Sequence, residues 1–166
     1  MNVRVGTGID VHAFADGDAS RQGWLVLCGA RIEDAPPLEG HSDADVGAHA
    51  VADALLGAAG LGDLGSRFGV ARPEHIDADS MELLRQVVGD VAAKGWTIAN
   101  LDLRLVAQLP RLEPYRATMR ENLATACGVA VEAVNVGFTT TDHLGSLGRA
   151  EGIAAWCVSL LTSSRS

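Results

Sequence analysis

The apolar pattern of this chain switches period along its length, and the switches outline its elements. Leu101, Leu103 and Leu105 alternate with Asp102, Arg104 and Val106, a period of two that predicts a strand over Trp96 to Ala107. Val3 to Phe14 and Trp24 to Ile32 also read as strands, neighbours joined by the polar turn DGDASRQG. Leu83, Leu84, Val87, Val88 and Val91 recur instead at helical spacing, predicting a helix over Asp79 to Lys94 that Gly95 closes. A helix is also expected in HSDADVGAHAVADALLGAAG, with Ser42 as N-cap, Asp45 as the acidic partner of a capping box and Gly60 as the stop. Glu113 to Cys127 reads as a helix ending at Gly128, Val134 to Thr140 as a strand, and the apolar run Gly152 to Leu161 as another. EDAPPLEG is a loop, because Pro36 and Pro37 deny two backbone donors. Gly62 to Ala78 is long for a passive connector and reads as a binding loop or lid.

Composition narrows this outline. One domain of 166 residues, 1–166, buries a core without disulfides or a structural metal, so any metal is free to serve chemistry. The formal net charge of -8 argues against a nucleic-acid surface, though not against a small phosphorylated ligand. Cys28, Cys127 and Cys157 lack any CxxC pairing and read as reduced core residues of a cytoplasmic protein. No signal peptide and no membrane-length apolar run is evident.

The candidate chemistry lies in four places. In GIDVHAF, Asp10 and His12 are two residues apart on a strand and face the same way, which makes them either a solvated edge or a pair of ligands. Asp45, His49 and Asp53 recur every four residues along one helix face. If that face packs toward the first strand, Asp10, His12 and His49 offer one carboxylate and two imidazoles to a divalent metal, with a coordination position left open. Asp45 or Asp53 would then orient the His49 ring. The bland alternative is a surface histidine with acids favoured by the helix dipole. His41 and Ser42, at a helix start, form a candidate phosphate seat or, more simply, a cap. In FTTTDHLG, Thr139, Thr140, Thr141 and Asp142 follow a strand; they suit phosphate oxygens and a hard cation, or a polar turn.

Read in order, DVHAF, HSDADVGAHAVADALLGAAGLGDLG, AQLPRLEP, NVGFTTTDHLG and GRAEGIA resemble the 2-C-methyl-D-erythritol 2,4-cyclodiphosphate synthase family of the non-mevalonate isoprenoid pathway. The resemblance covers nearly the whole chain. It implies an α+β fold, a mixed β-sheet packed by helices, in a homotrimer whose active sites are shared between subunits. It implies zinc on Asp10, His12 and His49, phosphate contacts from His41 and Ser42, and substrate contacts from Asp63, Leu64 and Gly65 and from the loop starting at Phe68. A cytidine-binding turn falls on Ala107 to Glu113, with Pro110, Arg111 and Leu112. Thr139 to Asp142 carry Thr140 near the reacting phosphates and Mg2+ or Mn2+ on Asp142, and Arg149 reaches phosphate. The implied reaction closes a cyclic diphosphate on a cytidine-diphosphate-linked substrate and expels CMP, with no protein nucleophile; His41 and Thr140 stand nearest the chemistry.

Several positions depart from the family pattern. Asp142 stands for the frequent Glu, Arg111 for Lys and Val70 for Asp, while Ser146, Leu147 and Ala150 alter the terminal motif. Two other readings share these residues. A non-haem iron oxygenase also uses one carboxylate and two histidines, usually in the order His-x-acid then His, and a non-catalytic trimeric metal-binding module would keep the fold without turnover.

Overall fold

The computed structural model describes residues 2–15, 24–33, 35–40, 42–69 and 79–163. Four strands form a mixed sheet in the order β1-β6-β4-β5: β1 (Asn2–Ala13), β4 (Thr97–Val106), β5 (Val134–Thr139) and β6 (Gly152–Ser163). β6 pairs antiparallel with both β1 and β4, and β4 pairs parallel with β5. A parallel pair needs a crossover, which helix α4 (Arg116–Cys127) supplies behind a 3-10 turn over Glu113–Tyr115. Gly128 ends α4 in the left-handed conformation at φ 65°, as expected for the glycine after a helix. The chain is thus α+β, with its helices gathered on one face of the sheet.

Trp24 to Ile32 departs from the expected single strand beside β1. It folds back as its own hairpin, β2 (Leu25–Leu27) and β3 (Ala30–Ile32), while β1 pairs with β6. The reversal lies at Cys28 and Gly29, both with positive φ (52° and 68°), the signature of a two-residue hairpin turn of the primed kind. DGDASRQG lies outside the described residues.

Helix α1 (Val46–Ala59) runs through the middle of the layer. It is apolar nearly all round and is buried everywhere except at His49, Asp53 and Gly57, one line at a spacing of four. β1 lies directly against it. A Cβ on Gly6 would stand 1.9 Å from Ala54 O, and one on Gly8 2.1 Å from Ala50 O. The buried Ser159 of β6 hydroxyl-bonds Ala54 O at 2.9 Å from the same sheet. Helix α3 (Ser80–Ala93), capped by Asp79, packs Leu84, Val87 and Val91 into the core. All three cysteines are buried and free.

The opposite face of the sheet is open. Val3, Val5, Ile9, Val11, Trp156 and Val158 are 44–67 % exposed there, an apolar strip along β1 and β6. No helix among the described residues is long and apolar enough to cross a membrane.

Candidate metal centre

The close seam between β1 and α1 continues into a polar site. Gly6 and Gly8 let the strand touch the helix backbone, and the next two residues on that face are Asp10 and His12. His49, on the first turn of α1, meets them: Asp10 Oδ2 is 2.9 Å from His49 Nδ1 and 3.1 Å from His12 Nε2. Ligand atoms of all three lie within 4.8 Å of one another, the one such His, Cys, Asp or Glu group among the described residues. Metal bonds of about 2.0–2.2 Å at a tetrahedral angle put neighbouring ligand atoms roughly 3.3 Å apart. The trio is therefore already spaced for a small divalent cation.

The ring orientations agree with that use. His12 Nδ1 donates to the Glu39 carbonyl, an acceptor only, which makes Nε2, turned to Asp10, the nitrogen this ring can give to a metal. Burial alone would push the Asp10 carboxyl up. The hydrogen bonds and charges of His12 and His49 outweigh it and hold the carboxyl far below the usual carboxylate range. The Asp10 hydrogen bond in turn raises His12 above its ordinary value, despite burial.

The acids of the helix line have other duties than the expected one of orienting His49. Asp45, not Ser42, is the N-cap of α1. Its buried carboxylate accepts from Ala48 N (3.0 Å) and, across the structure, from Cys28 N and Gly29 N (both 2.7 Å), so it ties the hairpin turn to the helix start. That hairpin is what moves the cap three residues downstream. Ser42 accepts from Ala44 N at 3.2 Å in a local turn, and His41 lies outside the described residues. Asp53 accepts from Leu64 N at 2.7 Å and so fastens Asp63, Leu64 and Gly65 one helical turn beyond His49. Asp63 caps the short helix α2 (Leu64–Phe68) through a capping box with Ser66. Phe68 belongs to that helix and is buried, and Val70 lies outside the described residues.

His49 Nε2 bonds instead to Ser80 Oγ at 2.9 Å, and Ser80 bonds to Asp43. Sequence reasoning placed Ser80 only within the helix expected over Asp79 to Lys94 and gave it no role. At 31 residues from His49 it leaves no local signal.

The remaining predicted residues gather elsewhere. Ala107, Pro110, Arg111, Leu112, Thr139 and Thr140 line one pocket of about 270 Å³ together with Gln108, Leu109, Glu113 and Phe138. Thr141 and Asp142 continue from it into an exposed turn, where Thr141 Oγ1 donates to Leu144 O at 2.6 Å and Asp142 N to Thr140 Oγ1 at 3.2 Å. Arg149, between helix α5 (Gly145–Gly148) and β6, is paired in solvent with Glu151 at 2.6 Å. Sheet register puts the pocket and the trio at the same end but on opposite edges. Val11 faces Ala154, Ala154 faces Val106, and Val106 faces Thr139. Three strand spacings, roughly 14 Å, separate them.

Comparison with known proteins adds to this geometry. The model of the YgbB family matches residues 3–162. A curated protein of Pseudomonas putida (strain W619), named 2-C-methyl-D-erythritol 2,4-cyclodiphosphate synthase, is 50 % identical over 159 residues, covering 96 % of this chain and 98 % of that protein. The solved structure of the bifunctional IspDF from Campylobacter jejuni superimposes with a TM-score of 0.90 at 38 % identity; the match covers 96 % of this chain and 42 % of that longer one. An IspF from Plasmodium falciparum, solved as a CDP complex, matches with a TM-score of 0.84 at 27 % identity over 98 % of this chain and 97 % of that one.

Proposed function

The chain belongs to the YgbB family, and from that premise we propose that it converts 4-diphosphocytidyl-2-C-methyl-D-erythritol 2-phosphate to 2-C-methyl-D-erythritol 2,4-cyclodiphosphate and CMP; its curated relatives are named as synthases of that cyclic diphosphate. The observation that carries the reading is the convergence of Asp10, His12 and His49 on one point, with one ring nitrogen of each histidine turned to the carboxylate.

In this reaction an oxygen of the 2-phosphate attacks the β-phosphorus. A new P–O bond closes the ring, the bond to the CMP oxygen breaks, and its electron pair leaves with CMP. Everything depends on bringing anions together in line. Asp10, His12 and His49 fit zinc, and Asp142 would hold Mg2+ or Mn2+; when bound, such ions would neutralise phosphate charge and polarise the reacting groups. The chain's own residues do the placing. His41, Ser42, Thr139, Thr140, Thr141 and Arg149 offer donors to phosphate oxygens, and the pocket over Ala107, Pro110, Arg111 and Leu112 takes the cytidine of the CDP-linked substrate. Asp63, Leu64, Gly65 and Phe68 border the methylerythritol. Orientation of this kind is worth about 7–11 kcal/mol in well-aligned intramolecular reactions.

Two observations support a homotrimer with shared sites. An apolar strip of this extent on a soluble chain's sheet face marks an interface. The metal trio and the nucleotide-sized pocket sit on opposite edges of one sheet, so the pocket of one subunit completes the metal centre of its neighbour. The reaction is tested by incubating the protein with the cytidylylated substrate, zinc and Mg2+ and following it by phosphorus NMR. Release of CMP and the cyclic diphosphate is expected; their absence with metal bound refutes the reading.

A further inference from the structure

A metal ligand must present a bare nitrogen, and an imidazole left to itself exchanges its proton between two. His12 is settled by a main-chain carbonyl. His49 has no such neighbour at its outer nitrogen, which instead meets the hydroxyl of Ser80, buried to 1 % exposure at the first turn of α3.

A hydroxyl either donates or accepts toward an imidazole, so by itself it would not select a tautomer. Asp43 removes that ambiguity. Its Oδ2 accepts from Ser80 N at 3.2 Å, and its Oδ1 accepts from Asp45 N at 3.3 Å. With both oxygens committed as acceptors, the Ser80 hydroxyl spends its single hydrogen on Asp43 Oδ1. Toward His49 it then offers only lone pairs, so Nε2 carries the ring proton. That leaves Nδ1, 2.9 Å from Asp10 Oδ2, as the nitrogen the ring would offer a metal in exchange for the proton it shares with that carboxylate.

We infer that Ser80, held by Asp43, is the positioning residue of the metal centre: it selects the tautomer of His49 and aims its Nδ1 at the point where Asp10 and His12 converge. The inference rests on the proposed metal role of the trio. It also gives the junction of α1 and α3 a purpose, since Asp43 precedes one helix and Ser80 begins the other. Partners of this kind, which touch a ligand and not the metal, typically change metal affinity by 10–100-fold.

The test uses the full chain with zinc alone, titrated against a chromophoric chelator, and reads three things: zinc affinity, melting of the zinc-free protein, and the protonated nitrogen of His49 in a two-bond 1H-15N NMR spectrum. Ser80→Ala should weaken zinc binding 10–100-fold and mix the His49 tautomers. Ser80→Thr, which restores the hydroxyl, should return both toward wild type. The inference is overturned if Ser80→Ala binds zinc within threefold of wild type with His49 still protonated at Nε2. It is equally overturned if Ala and Thr variants lose zinc alike in step with a lowered zinc-free melting point, because the residue is then only structural. Wild-type protein that takes up no zinc in the same titration would instead remove the metal reading itself.

Discussion

Gly8→Ala probes the seam on which the whole site is built. The added methyl would lie 2.1 Å from Ala50 O, 2.6 Å from Ala54 N and 2.9 Å from the Asp53 Cβ, whereas ordinary contact begins at 3.4 Å. Two of the three are backbone atoms inside α1, so no side chain can swing aside, and helix and strand must part by about 1.3 Å, the gap between 2.1 and 3.4 Å. Overpacking of a tight interior costs about 1–3 kcal/mol; a backbone collision belongs at the upper end. For a chain of this size, about 3 kcal/mol lowers the melting temperature by roughly 6–12 °C. The same displacement separates Asp10 from His49, which are 2.9 Å apart, and metal sites tolerate only about 0.2 Å in ligand distance. Zinc affinity should therefore fall at least tenfold by roughly the measure seen for weaker perturbations. Calorimetry of the zinc-free protein and a chelator-competition titration check both effects. Gly89→Ala, on an exposed helix position with nothing within 4 Å, is the matched control and should gain about 0.5–1 kcal/mol without touching zinc. A Gly8→Ala protein that melts within 2 °C of wild type, by roughly the scale just used, and binds zinc normally would refute the backbone-on-backbone seam.

Three further outcomes follow from the same structure. His49→Ala should abolish zinc binding and turnover while circular dichroism and sedimentation stay native, because the core does not rest on the metal; unfolding would assign the metal a structural role. Val5→Asp, on the open sheet face at 67 % exposure, should leave the subunit folded, since such surface changes stay within about 0.5 kcal/mol. It should dissociate the proposed trimer in sedimentation velocity, and a trimer left intact would place the interface elsewhere. Burial, reinforced by the Asp43 charge, pushes the Asp45 carboxyl up to about 6 from 3.8. Between those values the folded chain holds a proton the unfolded chain has released, so the contribution favours folding on the acid side and is lost as pH rises through 6. Urea titrations from pH 4.5 to 7 should show that slope, and Asp45→Asn should flatten it; an equal slope in the variant points to another group.

Much of the site was legible before any fold was known, for reasons that are local. Strand geometry puts residues i and i+2 on one face, so Asp10 and His12 were a pair as soon as the strand was recognised. Helical spacing likewise put Asp45, His49 and Asp53 on one line; the limits of α3 were readable from apolar periodicity and Gly95, and the end of α4 from Gly128, while its expected first residues, Glu113 to Tyr115, form a 3-10 turn. The resemblance to a known family joined these pieces. The local rules went astray at Ser42 and at Trp24 to Ile32. Ser42 is a good cap by type, but Asp45 is the acceptor that the N–H groups of Cys28 and Gly29 can reach. The turn at those two residues depends on positive φ at a cysteine, which no pattern of apolar residues announces.

By itself, then, the sequence determined which side chains share a face and where most elements start and stop, since the backbone's two periods act over a few residues. Only the tertiary structure decided that β1 pairs with a strand some 150 residues away, that one of three polar positions on α1 meets Asp10 while its neighbours cap a helix and fasten a turn, and that Ser80 completes the set. Those choices depend on which backbone groups remain unpaired once helix and sheet are pressed together. That is a property of distant segments in contact, and periodicity within a segment carries no record of it.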